Sequence, residues 1–190
     1  MPPLQHGGGY QTGRTNLGAA NEILNNAIAA GETEPCVVVS RAFKAGSGIR
    51  WWSVGMGRWV TIVKPVVEAR YNVSADINDR AILGDSAGGF CTCNMPAVYP
   101  NEFQFQYYGI FAADANNFGQ NCDYDKDAIR EQTIFICSGL HDPVAIETTY
   151  PTMQLFSELD IPFTKRMYPG NHMWHPWRQG LYHFLKNLLW

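Results

Sequence analysis

The apolar run Ala81-Ile82-Leu83 leads directly into Gly-Asp-Ser-Ala-Gly at 84–88, and a stretch able to form a helix follows. An apolar run, a glycine-flanked serine and a helix in this order restrict the chain to a strand, a sharp turn and a helix packed closely on that strand. This is the G-x-S-x-G pattern of a nucleophile elbow. Its serine stands at the apex of the turn with Oγ exposed, and the next backbone N–H faces the place where an oxyanion would form. Gly84 and Gly88 allow the close approach, and Gly89 adds room. Short Gly/Ser patterns also arise by chance, and a serine in this place has a second reading as a buried helix N-cap.

A serine becomes a useful nucleophile only when a base takes its proton and a third group orients that base. Two residues downstream of Ser86 fit these parts in the order serine, acid, histidine. Asp142 follows the strand-like run at 133–137 and the loop Ser138-Gly139-Leu140-His141. His172 follows the strand-like run at 163–168 and the loop Pro169-Gly170-Asn171. All three residues therefore fall in loops after strands, where α/β folds place their chemistry. The alternatives are plain ones. Asp142 precedes Pro143 and would also serve as a helix cap, and His6, His141, His175 and His183 compete with His172.

Upstream, His6-Gly7-Gly8-Gly9 is expected to form a turn whose bare backbone N–H groups would point into a site and supply a second oxyanion donor. By position alone it would read as an N-terminal tail.

Strand-like and helix-like segments alternate along the chain, with no repeat and no low-complexity tract. Helices are expected at 16–30, 59–71 (with Pro65 kinking it or marking its first turn), 87–99 (bent or shortened near Pro96), 144–159 and 177–189. Gly31 is expected to stop the first. Strands are expected at 35–40, 80–84, 107–112, 133–137 and 163–168, and loops at 42–57 and 119–127, the latter running into a short helix. Such alternation signals an α/β architecture, a mostly parallel sheet of about five or six strands flanked by helices.

Length and composition narrow the function classes. A chain of 190 residues reads as a single domain, 1–190, and 46% hydrophobic against 16% charged residues favours a packed core over disorder. A net charge of −3 gives no reason to expect nucleic acid or an anionic membrane as partner. No apolar run approaches the roughly 20 residues that span a bilayer. The start Met-Pro-Pro-Leu-Gln has neither the basic nor the apolar part of a signal peptide. The five cysteines (Cys36, Cys91, Cys93, Cys122 and Cys137) show no disulfide framework and no C-x-x-C knuckle, so neither a disulfide scaffold nor a metal site is expected. Cys91 and Cys93, two apart on a helix, are expected on different faces of it.

Several stretches together resemble the feruloyl esterase and esterase D-like family of the α/β-hydrolase superfamily. They are LQHGGGYQTG, ANEILNNAIAAGETEPCVVVS, RAILGDSAGGF and, most specifically, PGNHMWHPWRQGLYHFL. The resemblance covers nearly the whole chain. It implies Ser86 as nucleophile, His172 as base and Asp142 as orienting acid. The N–H groups of Ala87 and Gly8 would form the oxyanion hole, and Gly9, Trp174 and Trp177 would contact substrate. It also implies no cofactor and an extracellular place of action. The substrate would be a small or polysaccharide-linked ester, such as the feruloyl or acetyl esters of plant cell walls. Aromatic residues make up 13% of the chain, and Trp51, Trp52, Trp174 and Trp177 lie in or beside loops that could border the site, which suits a phenolic acyl group or a sugar ring. HGGG with GDSAGG is similar to the hormone-sensitive-lipase family as well, which implies the same triad.

One departure from the family pattern stands out. In this fold the strand before the oxyanion loop is central, whereas here only Met1 to Gln5 precede His6, and two of the five are prolines. The expectation is an N-terminally shortened fold that lacks the usual first strands, with the strands at 35–40 and 80–84 left unpaired where that strand belongs. On that footing the alternative to a serine esterase is a non-catalytic remnant with an open sheet edge.

Overall fold

The computed structural model describes residues 3–5, 18–41, 59–98, 105–113 and 125–189. The strands are β1 (Pro3–Gln5), β2 (Val39–Arg41), β3 (Ala81–Asp85), β4 (Tyr107–Phe111), β5 (Thr133–Gly139) and β6 (Thr164–Tyr168). They form one parallel sheet in the order β2-β1-β3-β4-β5-β6. The helices are α1 (Ala20–Ala29), α2 (Lys64–Arg70), α3 (Ala87–Val98), α4 (Lys126–Arg130), α5 (Pro143–Glu147), α6 (Thr149–Glu158) and α7 (Trp174–Asn187).

Side chains on a strand alternate between the two faces of the sheet, and the parity of the sequence reads out directly in the packing. The even positions Ile82, Tyr108, Ile110, Ile134 and Ile136 pack with Cys91 and Met95 of α3 and Met153 and Phe156 of α6. The odd positions Ala81, Leu83, Phe111, Phe135 and Cys137 pack with Ala20 of α1 and Trp177, Leu181 and Phe184 of α7. Registers such as Ile82 opposite Tyr108 opposite Ile134 keep these rows aligned across the sheet. Burying each large apolar side chain in these layers contributes about 1.5–3 kcal/mol. The middle strands β3, β4 and β5 are buried on both faces, so they read as continuous apolar runs.

The sheet differs from expectation at its centre. Pro3–Gln5 lies between β2 and β3, with Leu4 opposite both Ser40 and Leu83 and Gln5 opposite Arg41 and Gly84. The strands expected to be left unpaired are therefore joined by a three-residue strand. Pro3 is tolerated because it is the first residue of that strand and pairs only with Val39.

Other boundaries moved for local reasons. The first helix begins at Ala20 because Ala19 is in the left-handed region at φ 50°, which no helix can include. Gly31 follows its end at φ 68°, as a stop residue should. The strand expected from residue 35 starts only at Val39. The helix around Pro65 is a wide π turn at Trp59–Val63 that passes into α2, with Pro65 at the start of α2 where the helix changes pitch. The helix expected at 144–159 is two helices, broken at Thr148. Pro151 lacks the N–H that would bond to Glu147, and its ring would press on that carbonyl, so α6 has to start afresh. The last helix starts three residues before expectation, at Trp174, which places Pro176 in its first turn. Cys91 and Cys93 are both buried in the same layer, because residues 91–96 of α3 are enclosed throughout.

The strand order reverses between β1 and β3. After β1 the chain moves outward to β2, then returns to β3 and proceeds the other way. In open α/β sheets the crevice outside the carboxyl ends of the strands at such a point is where ligands bind. Ser86, the residue after β3, stands there.

Candidate active site

Ser86 has φ 51°, a conformation an L residue adopts only under constraint and at a cost of about 1–3 kcal/mol. Two backbone hydrogen bonds hold it. Its N–H donates to the Phe111 carbonyl at 2.8 Å, and its carbonyl accepts from Phe90 N–H at 2.9 Å. The first ties the turn to the end of β4, and the second starts α3. Ala87 is the first residue of α3, and the N–H of a first helical residue has no acceptor inside the helix.

The elbow closes because Gly84 has no side chain. A Cβ at Gly84 would fall inside the backbone of Gly88 and 2.7 Å from the amide nitrogen of Gly89. Backbone on both sides leaves nothing that can yield. Gly84→Ala is therefore expected to lose about 3 kcal/mol or more of stability, or to open the turn, as overpacking against rigid neighbours does. Chemical denaturation checks it, and a variant as stable as the parent would refute this account of the elbow.

Asp142 and His172 are brought together by two loops pressed backbone to backbone. Leu140 N–H donates to the Tyr168 carbonyl at 2.8 Å and His141 N–H to the Gly170 carbonyl at 2.9 Å. Gly139 permits this contact, since a Cβ there would lie 2.6 Å from the Asn171 carbonyl oxygen and closer still to that of Gly170. Beyond the turn, Asp142 caps α5. Its Oδ1 accepts from Val144 N–H at 2.9 Å and from Ala145 N–H at 3.2 Å.

The other carboxylate oxygen faces His172. Nδ1 of His172 lies 2.8 Å from Asp142 Oδ2, and Nε2 lies 3.0 Å from Ser86 Oγ. An ionised carboxylate only accepts, so Nδ1 carries the proton and donates it to Asp142. Nε2 is then bare and accepts from the Ser86 hydroxyl. Residues 86 and 30 positions apart from the histidine thus form one hydrogen-bonded chain. The Asp142 side chain is fully buried, whereas His172 keeps 24% of its surface, so the acid is dry and the histidine reaches solvent. Asp142 thus caps α5 with one oxygen and meets His172 with the other.

Trp177 meets His172 edge to face at 5.0 Å and 88°, and Trp174 meets Trp177 in the same manner at 5.3 Å. Trp177 is only 7% exposed and belongs to the layer beneath α7, so it backs the imidazole, while Trp174 is half-buried. The competing histidines within the described residues are occupied elsewhere or exposed. His175 bonds Gln179, His183 bonds Asn187, and the His141 side chain faces solvent. Burial, then the Arg166 charge, lowers the His183 pKa, and burial pushes the Tyr168 phenol up to about 12. Gly8 and Gly9, with the rest of the HGGG turn, and Trp51 and Trp52 lie outside the described residues.

Sequence reasoning missed Ser138, whose Oγ–H donates to Asp142 Oδ2 at 3.0 Å. Its only signal was a hydroxyl four residues before the acid, in a stretch expected to be loop; β5 instead runs on to Gly139 and includes it. Among the described residues no group of three or more His, Cys, Asp or Glu side chains is placed to hold a metal, and no helix is long and apolar enough to cross a membrane. A cleft of about 590 Å³ lined by Glu34, Cys36, Asn72 and Asp79 lies at the amino ends of β2 and β3, away from this chemistry.

No protein-family model matches this chain. Solved structures do resemble it. A ferulic acid esterase superposes with a TM-score of 0.81 at 19% identity, over 99% of this chain and 83% of the other. A mutant feruloyl esterase module from Clostridium thermocellum, complexed with sinapinate, superposes at 0.74 with 21% identity, over 98% of this chain and 75% of the module. The S-formylglutathione hydrolase of Staphylococcus aureus does so at 0.68 with 15% identity, over 97% and 78%. The fold is that of the α/β-hydrolases. In this α/β-hydrolase sheet the loops after β3, β5 and β6 carry Ser86, Asp142 and His172 to one end.

Proposed function

We propose that the chain is a serine carboxylic-ester hydrolase working through Ser86, His172 and Asp142. The observation that carries this reading is the unbroken hydrogen-bonded series Ser86–His172–Asp142 on a strained elbow. His172 Nε2 takes the Ser86 proton as Oγ attacks the ester carbonyl carbon. Asp142 holds the imidazole in its Nδ1–H form and stabilises the imidazolium that results. The Ala87 N–H, and with it the Gly8 N–H, binds the oxyanion, each donor contributing about 3 kcal/mol. His172 then gives its proton to the leaving alcohol. Water, deprotonated by the same nitrogen, then attacks the acyl carbon; the bond to Ser86 Oγ breaks, the acid leaves, and His172 returns the proton to Oγ. None of these steps calls for a cofactor.

The proposed substrates are feruloyl or acetyl esters of plant cell-wall polysaccharide. Half-buried Trp174 offers an aromatic surface near His172. Leu140, Val144 and Met173, all exposed apolar side chains, flank Asp142 and His172 in the sequence and suit a phenolic acyl group. The solved neighbours named as ferulic acid and feruloyl esterases point the same way.

Mixing the protein with a nitrophenyl ester tests the chemistry. A burst of about one nitrophenol per chain before the steady state is expected from an acyl-enzyme. No release above background would overturn the reading. A panel of methyl ferulate, acetylated xylan and plain acetate esters tests the substrate class, with the highest kcat/KM expected for methyl ferulate. Preference for plain acetate, with no gain from an aromatic acyl group, would remove the feruloyl assignment and leave the esterase.

A further inference from the structure

We propose that Ser138 is a positioning residue for His172, acting through Asp142; the inference rests on the serine-hydrolase reading above. The Asp142 side chain is completely buried, and four donors meet its two oxygens. Val144 and Ala145 amides occupy Oδ1, while the Ser138 hydroxyl and His172 Nδ1–H share Oδ2. An ionised carboxylate has about four acceptor sites, so the set is complete.

The two oxygens do different work. The amides of α5 hold Oδ1, and any turn of the carboxylate about its bond to Cβ has to stretch those two bonds. Ser138 gives the second fixed point, because its own backbone lies in β5, opposite Met167 of β6, and its side chain is fully enclosed. With both points held, Oδ2 has one direction left for a further donor, and His172 Nδ1–H fills it. Without the Ser138 hydroxyl, one site on Oδ2 has no partner in a dry environment. The carboxylate then turns to share its remaining donors, and the imidazole follows it away from Ser86 Oγ.

Ser138 itself touches neither Ser86 nor His172 through a hydrogen bond, so its loss should act on the chemical step. Ser138→Ala is expected to lower kcat about tenfold with KM within about twofold, the pattern of an interaction that matters only in the transition state. Ser138→Thr, which keeps the hydroxyl, should restore most of kcat. Ser138→Cys, which fills the space but donates weakly, should not. In the free protein, the downfield proton resonance of His172 Nδ1–H should be sharp in the parent and in Ser138→Thr, and shifted and broadened in Ser138→Ala.

Loss of kcat in Ser138→Ala with an unchanged Nδ1–H resonance would overturn the proposal, since it would reveal a general packing effect. So would a kcat within twofold of the parent. The resonance is read without substrate. Should the parent hydrolyse no ester, the functional reading fails by itself, and the resonance still decides whether Ser138 orients His172.

Discussion

Ser86→Ala is expected to lower kcat/KM for a nitrophenyl ester by at least about 10⁴-fold while leaving the protein folded, because it removes the one atom that attacks. The fold should tolerate the change. The elbow is held by the backbone bonds to Phe111 and Phe90 and by the missing side chain of Gly84, none of which involves Oγ. The thermal midpoint should therefore stay within a few degrees, about what a loss of 1 kcal/mol produces in a domain of this size. Equal rates for parent and variant would rule out Ser86 as the nucleophile and with it the acyl-enzyme route.

Asp142 offers a second large effect, and two substitutions separate its two roles. In Asp142→Asn the amide oxygen continues to accept from Val144 and Ala145, so the cap on α5 survives. The amide NH₂ now meets His172 Nδ1, where a donor faces a donor. The imidazole has to move its proton to Nε2, and Nε2 can no longer take the Ser86 proton. A fall of about 10⁴-fold in kcat is expected with little change in stability. Asp142→Ala removes the cap as well, and should lose about a further 1 kcal/mol in chemical denaturation. Activity within tenfold of the parent for Asp142→Asn would show that Asp142 does not orient His172. Equal stability of the two variants would show that the cap carries no weight.

Much of this site was legible because its parts are local. A turn that needs glycine on both sides of a serine writes itself into five consecutive residues. Asp142 before Pro143 is a helix cap by local rules, and the structure shows it as one. Candidate loop residues after strands could be picked once the strands were found.

Three features depended on contacts between distant segments. The central strand β1 is three residues long and starts with proline, so no periodicity marks it. It exists because β2 and β3 each offer a row of backbone partners on either side. Ser138 had no motif, since its significance comes from the turn that folds Asp142 back over it. The preference for His172 among five histidines rested on chain order and resemblance. Its placement is a tertiary matter, because the loop at 169–173 is pressed onto the turn after Gly139.

The sequence by itself determined the type of fold, the elbow at Ser86 and the cap at Asp142, since each follows from steric and hydrogen-bonding rules that act over a few residues. Only the tertiary structure decided that Pro3–Gln5 completes the sheet, that Trp177 lies buried against the imidazole, and that one oxygen of Asp142 serves a helix while the other serves His172. The sheet pairing and the Asp142–His172 contact join segments far apart in the chain, and the burial of Trp177 depends on the layer into which the last helix packs, so no local rule carries that information.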